Sequence, residues 1–184
     1  TVRRGKETVN AKWGSDASIL VGDFLISRSI LILAEDCERK IIQAVTEATK
    51  VLVEGGIYEY TEARNIKVTE KHILDVIYRK TSSLISVSVR LGGLLANATE
   101  QQETAIISFG DDFGMAFQLM DDALDYDADE TVLGKPPGTD FKEGHVTLPL
   151  HHLYNNADRP LKKEIEAFIK NENITEKDLQ YIVG

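Results

Sequence analysis

The sequence holds one cysteine, Cys37, in 184 residues, so no internal disulfide can brace the fold. With no Cys/His cluster beside it, the usual structural zinc patterns are excluded too, and a reducing, cytoplasmic setting is the expectation. Proline is almost as scarce: there are four, three of them between Pro136 and Pro149, which leaves long tracts on either side without a helix breaker. Positive charge is short as well. Twenty-one Lys and Arg face thirty Asp and Glu, a formal net charge of -9, so there is no basic face to neutralise a nucleic-acid backbone. An anionic ligand has to be gripped by a few local groups. Long uninterrupted apolar runs are missing: Ala17 to Ala34 is broken by Asp23 and Arg28, and Leu84 to Ala98 by Arg90. No transmembrane segment is therefore predicted. With 42% hydrophobic residues, the chain can bury one core, and a single domain over residues 1–184 is expected.

What is present reads as nearly all α-helix. Ser15-Asp16 is suited to cap a helix carrying Ile19, Leu20, Phe24, Leu25 and Leu31, whose spacing approximates one apolar face. A second helix is predicted from about Ala34–Asp36 to the Gly55-Gly56 pair, which reads as a stop or kink. Thr69 caps a third, from Glu70 to about Asn97, and Thr99 with Gln102 resembles a capping box before a fourth, from Ala105 to about Tyr126. Between Ala128 and Val146 the text turns to Gly134, Pro136, Pro137, Gly138 and Gly144. That is loop chemistry, and a loop of this length suits a lid or a binding segment. Short amphipathic helices follow from Thr147, with a turn at Asn171 to Ile174. The chain opens at Thr1-Val2-Arg3-Arg4-Gly5-Lys6, without an initiator Met or the grammar of a signal peptide, so an upstream part is expected.

The sharpest chemical signal is Phe117-Gln118-Leu119-Met120-Asp121-Asp122-Ala123-Leu124-Asp125. At about 100° per residue, Asp121 and Asp125 fall on adjacent turns of one helix face, flanked by Asp122 and Gln118. Three carboxylates so close repel one another unless a cation sits between them, and their hard oxygens suit Mg²⁺, which keeps open positions for phosphate oxygens. Acidic triplets are also common as solvated helix faces. This one lies near a helix C-terminus, where the helix dipole disfavours negative charge, so stability alone is a poor reason for it. Lys135, Lys142 and His145 in the following loop can return positive charge to a metal-bridged diphosphate. Lys80 beside Thr81 offers a cation next to a hydroxyl, and Arg3-Arg4 offers two guanidinium forks for phosphate oxygens. Taken singly, Lys80 reads as a snorkelling surface lysine and Arg3-Arg4 as an ordinary basic patch. Asp111-Asp112 stands about 15 Å along the helix from Asp121, too far to share a metal, and reads as structural or surface.

In this order these residues resemble the trans-isoprenyl diphosphate synthases, above all the long-chain polyprenyl members. The likeness runs through Arg3-Arg4-Gly5-Lys6, Asn10, Trp13-Gly14, Leu20 to Leu25, Lys80-Thr81-Ser82, the aspartate motif, Gly134-Lys135, Asp140, Glu143-Gly144 and Thr147-Leu148-Pro149. It implies an all-α, single-domain helical bundle with a central active-site cavity. It also implies condensation of an allylic diphosphate with isopentenyl diphosphate to a longer polyprenyl diphosphate, with Mg²⁺ as cofactor. Asp121, Asp122 and Asp125 would then hold Mg²⁺, and Arg3, Lys80, Thr81, Gln118 and Lys135 the allylic diphosphate. Arg4 would hold isopentenyl diphosphate, and the departing pyrophosphate would take the proton. In the family a first aspartate-rich motif precedes the paired arginines. It would lie before Thr1, so the chain is expected to be incomplete at its N-terminus, and at its C-terminus, and not to turn over as it stands. His145 stands where the family commonly has lysine, which weakens the grip or makes it pH-dependent. A homodimer is the implied default, with a heteromer as the variant.

Two other readings compete: a non-catalytic subunit of a heteromeric prenyltransferase, and a class I terpene cyclase. The intact Lys80, Gln118, Lys135 and aspartate set argues against the first. The paired arginines, suited to a second diphosphate, and an aromatic content of 7%, poor in ring faces for a folding carbocation, argue against the second. Ser83, Ser86, Val87, Ser88, Gly92 and Gly93 read mainly as close helix packing, with a prenyl tunnel as a further possibility from the resemblance.

Overall fold

In the computed structural model residues 2–3, 6–127, 138–171 and 175 are described, with 2, 3 and 127 as backbone only. The expectations for Arg4, Lys135 and most of the 128–146 loop therefore fall outside the described residues.

A two-residue antiparallel pair, β1 (Val2–Arg3) with β2 (Lys6–Glu7), precedes the helices. Thr8 then caps α1 (Val9–Asp36) by accepting the Ala11 N–H at 3.2 Å. The helix is interrupted at Gly14, whose φ of 84° and ψ of 174° lie outside any helical region, a conformation that glycine adopts without a Cβ clash. The long segment after it is the helix that Ser15-Asp16 announces; no sequence signal marks the short turn before it. The second helix, α2 (Arg39–Thr61), runs straight through Gly55-Gly56, so the predicted stop there is wrong. Gly55 has another use: a Cβ there would stand 2.6 Å from the Arg79 Cβ and 2.9 Å from the Lys80 backbone nitrogen. The glycine lets two helices touch, and a packed helix tolerates its weak propensity.

Thr69 caps α3 (Glu70–Ile77) as expected, accepting the His72 N–H at 3.2 Å. A π-helical turn, Tyr78–Ser82, joins α3 to α4 (Ser83–Leu95). The predicted single helix is thus one rod with a widened turn in its middle, the kind of insertion often found at functional sites. The capping box at α5 (Glu100–Asp127) is present in both directions, with Thr99 N–H to Gln102 Oε1 at 2.9 Å and Gln102 N–H to Thr99 Oγ1 at 3.4 Å. After it come α6 (Thr139–Glu143), α7 (Leu148–Asn156) and α8 (Arg159–Lys170).

Two apolar clusters hold these elements. Ala44 and Ala48 of α2 meet Val87 and Leu91 of α4, small against branched. Ile66, Phe141, Leu150, Ile165 and Ile169 form the other, which ties the α2–α3 connection to α6, α7 and α8. Each large side chain fully buried there contributes roughly 1.5–3 kcal/mol. Along α4, Ser83, Ser86, Val87 and Gly93 are buried while Ser88 and Gly92 are not, which supports the packing reading for the first group.

No residue of α1 is buried. Leu20 and Phe24 are 67% and 66% exposed, and Ile19, Leu25, Ile26 and Ile30 are open too. By length and composition alone α1 is apolar enough to cross a bilayer, since Asp23 and Arg28 are the only charges in its most apolar 18 residues. The core helix of a soluble protein has the same length and composition. A helix that is apolar on all sides belongs inside something larger.

Candidate active site

The site grows from where three helices cross. The π turn of Tyr78–Ser82 swings Lys80 and Thr81 toward α5, where Gln118 stands one turn before the aspartates. Thr81 donates its hydroxyl to Gln118 Oε1 at 2.7 Å. Gln118 Nε2 donates to Asp122 Oδ1 at 2.8 Å and, more weakly, to Asp121 Oδ2 at 3.3 Å, and the carboxylate oxygens as acceptors set which end of the amide is nitrogen. Close packing holds the helices in this relation: a Cβ on Gly114 would stand 2.5 Å from the Ser82 Cα, so α5 and the π turn meet backbone to backbone.

Beside this chain of hydrogen bonds is a cavity of about 100 Å³. Lys80, Thr81, Gln118 and Asp122 line it, together with Glu59 and Glu62 of α2, His72 of α3, and Asp140, His145 and Thr147 from the stretch after α5. Four carboxylates thus share the wall with one lysine and two histidines. Lys80 is paired with Glu59 Oε2, and Glu59 Oε1 lies 3.9 Å from His145 Nδ1. Ile73, Val76 and Ile77 of α3 belong to the apolar flank of the cavity.

The three aspartates of the motif do not share one environment. Asp122 is 5% exposed and faces the cavity. Burial above all pushes its carboxyl up, to about 6, against the Gln118 amide, which lowers it; Asp140, Asp121 and Glu59 add like-charge repulsion. Asp125 is fully buried and turns toward α6, where its Oδ2 accepts the Asp140 N–H at 3.0 Å while its carbonyl accepts the Gly138 N–H at 2.7 Å. Asp121 is half-buried and, among the described residues, is hydrogen-bonded through Gln118. Among the described residues no three His, Cys, Asp or Glu side chains are gathered as ligands of one ion. Tyr126, raised well above its ordinary value chiefly by burial, keeps its proton and lies 3.3 Å from the Thr147 hydroxyl.

A pH signature follows for the metal-free protein. The native state holds a proton on Asp122 that the unfolded chain releases near pH 4, so this group's stabilisation is complete below about pH 4 and is lost as pH rises through about 6. The loss is roughly 3 kcal/mol if Asp122 acts alone. Urea unfolding in EDTA between pH 4 and pH 7 should show the decline, and Asp122→Asn should flatten it.

Of the sequence-predicted residues, Lys80, Thr81, Gln118 and Asp122 come together, Asp121 and Asp125 flank them, and Arg3 is placed only as part of β1. Asp112 is exposed and Asp111 half-buried on α5, where the Asp111 carbonyl accepts the Ser82 hydroxyl at 2.7 Å; neither lines the cavity. Sequence reading missed Glu59, Glu62 and His72. No local pattern marks them: Glu59 stands between two tyrosines near the end of α2, and its partner Lys80 is 21 residues away.

The whole chain, residues 1–184, matches the polyprenyl synthetase family model. It is 37% identical over 172 residues to the octaprenyl diphosphate synthase of Escherichia coli K12, covering 94% of this chain and 53% of that protein. It is 32% identical over 182 residues to heptaprenyl diphosphate synthase component 2 of Bacillus subtilis, covering 99% and 51%. The fold superposes on the crystal structure of a polyprenyl synthase from Caulobacter crescentus complexed with calcium and isoprenyl diphosphate. The TM-score is 0.93 at 31% identity, over 98% of this chain and 55% of that one. The chain spans about half the length of the curated relatives it matches.

Proposed function

This chain belongs to the polyprenyl synthetase family, and on that premise we propose that the protein it forms part of condenses an allylic diphosphate with isopentenyl diphosphate to give a longer trans-polyprenyl diphosphate. The observation that carries the reading is the cavity wall itself, where an ammonium, a hydroxyl, an amide and carboxylates converge. Its excess of negative charge would repel a bare diphosphate. The same wall accepts a diphosphate that arrives with a divalent cation, because every acid there presents hard oxygen donors and Asp122 already suffers from like-charge crowding.

Mg²⁺ suits these hard oxygen donors: Asp121 and Asp122 would hold it with Asp125 behind them, and when bound it would neutralise charge on the departing diphosphate. Lys80 and Thr81 contact the allylic diphosphate oxygens. Gln118 orients Asp122 by donating to it, and it holds Thr81 by accepting from it, so both sides of the site are set by one amide. As the allylic C–O bond breaks, its electron pair leaves with pyrophosphate, and Lys80 stabilises that charge. The isopentenyl double bond then attacks the allylic carbon, and the proton lost next passes to pyrophosphate. In this reading Arg3 and Lys135 serve the allylic diphosphate and Arg4 the isopentenyl diphosphate.

The exposed apolar surface of α1 argues for assembly with protein, as a homodimer or as a heteromer; the Bacillus subtilis relative is itself named as a component. A cytoplasmic enzyme is the consistent setting. The test is to express the complete reading frame and supply isopentenyl and farnesyl diphosphates with Mg²⁺. Linear products lengthened by isoprene units, identified by mass, support the reading, whereas cyclic hydrocarbons or no prenyl product would remove it.

A further inference from the structure

Lys80 is the one permanent cation among the described residues that line the cavity, yet its ammonium is already engaged by Glu59. Glu59 reaches this point from the last turns of α2, and its other oxygen faces His145 Nδ1 at 3.9 Å. One carboxylate therefore lies between the ammonium that the π turn brings to the wall and the imidazole brought by the segment after α6. The Glu59 side chain is 23% exposed and Lys80 45%. A pair this accessible to water is weakly bound and exchangeable, and a diphosphate makes stronger charge-assisted contacts with an ammonium than one carboxylate does.

We propose that Glu59 is a displaceable stand-in for the substrate's diphosphate on Lys80, an internal carboxylate that holds the ammonium in the cavity until the diphosphate replaces it and so sets the affinity for that anion. The inference rests on the proposed diphosphate site and adds to it a positioning residue acting through Lys80. It gives the ion pair two effects. Glu59 keeps a flexible lysine aimed into the cavity when the site is empty of anion, and its charge opposes anions that lack a divalent partner. Once displaced, Glu59 still has His145 within reach. The packing that brings the pair together is specific, since Gly55, one turn before Glu59, is the point where α2 touches the backbone of Lys80.

The probe is inorganic pyrophosphate, titrated calorimetrically into the complete protein with and without Mg²⁺. Glu59→Gln keeps the shape and removes the charge. It should bind pyrophosphate about tenfold more tightly than the wild type in Mg²⁺, the size of effect one like charge a few Å away imposes. The gain should be larger without Mg²⁺. In a Lys80→Met background, Glu59→Gln should give no gain, a coupling that a merely structural role for Glu59 would not produce. Equal or weaker binding by Glu59→Gln, or the same gain with Lys80 absent, overturns the inference while the diphosphate site stands. Failure of the wild type itself to bind pyrophosphate with Mg²⁺ overturns both.

Discussion

Asp121→Ala in the complete protein is expected to lower prenyl product formation by roughly a hundredfold or more, the scale seen when one group that stabilises developing charge is removed, while leaving the fold in place. The separation of the two effects comes from the geometry. Asp121 is half-buried and is held by a 3.3 Å contact from Gln118 Nε2, which keeps its better bond to Asp122 at 2.8 Å when Asp121 is gone. Substitutions at such positions shift stability by only about ±0.5 kcal/mol. Steady-state rates over a range of Mg²⁺ concentrations, set beside urea unfolding of the same variant, provide the check. Asp125→Ala makes the contrast, because it removes a buried acceptor from the Asp140 N–H and should cost about 1–3 kcal/mol of stability as well as activity. Wild-type rates in Asp121→Ala would contradict the role given to the motif.

Gly114→Ala should be the most damaging single methyl in the described part of the molecule. The added Cβ would stand 2.5 Å from the Ser82 Cα and 2.7 Å from its Oγ, and backbone cannot step aside as a side-chain tip can. Relief requires α5 to retreat from the π turn, at a cost of about 1–3 kcal/mol. The retreat also carries Gln118, one turn further on, away from the Thr81 hydroxyl it now meets at 2.7 Å. Both a lower urea midpoint and a raised KM for the allylic substrate are expected. Gly56→Ala is the matched control: a Cβ there would meet nothing within 4 Å, so in α2 it should be neutral or stabilise by about 0.4–1 kcal/mol. A variant at Gly114 as stable and active as that control would show that the helix contact does not position the site.

The helices were legible because their signals are local. Thr69 and the Thr99/Gln102 box announce their helices within four residues, and both caps form. Gly55 misleads for a related reason: a glycine in text looks like a stop, and only the presence of the Arg79–Lys80 backbone beside it turns it into a packing residue. The π turn has no signal at all in Tyr78-Arg79-Lys80-Thr81-Ser82, since an extra residue in a helical turn is accommodated by what packs against it. α1 passes for a membrane span by length and composition because its most apolar 18 residues hold only Asp23 and Arg28 as charges, a pattern the core helix of a soluble protein shares.

By itself the sequence determined an α-helical chain and three acids placed at i, i+1 and i+4 ahead of a loop, because those are matters of residue type and helical period; that Lys80, Thr81 and Gln118 belong to one pocket was implied only by the family resemblance. Only the tertiary structure decided that Asp122 faces the cavity while Asp125 braces α6, and that Glu59 holds Lys80. A side chain's direction and its partner across two helices depend on how the helices cross, and that crossing is fixed by glycine-sized contacts at positions far apart in the chain.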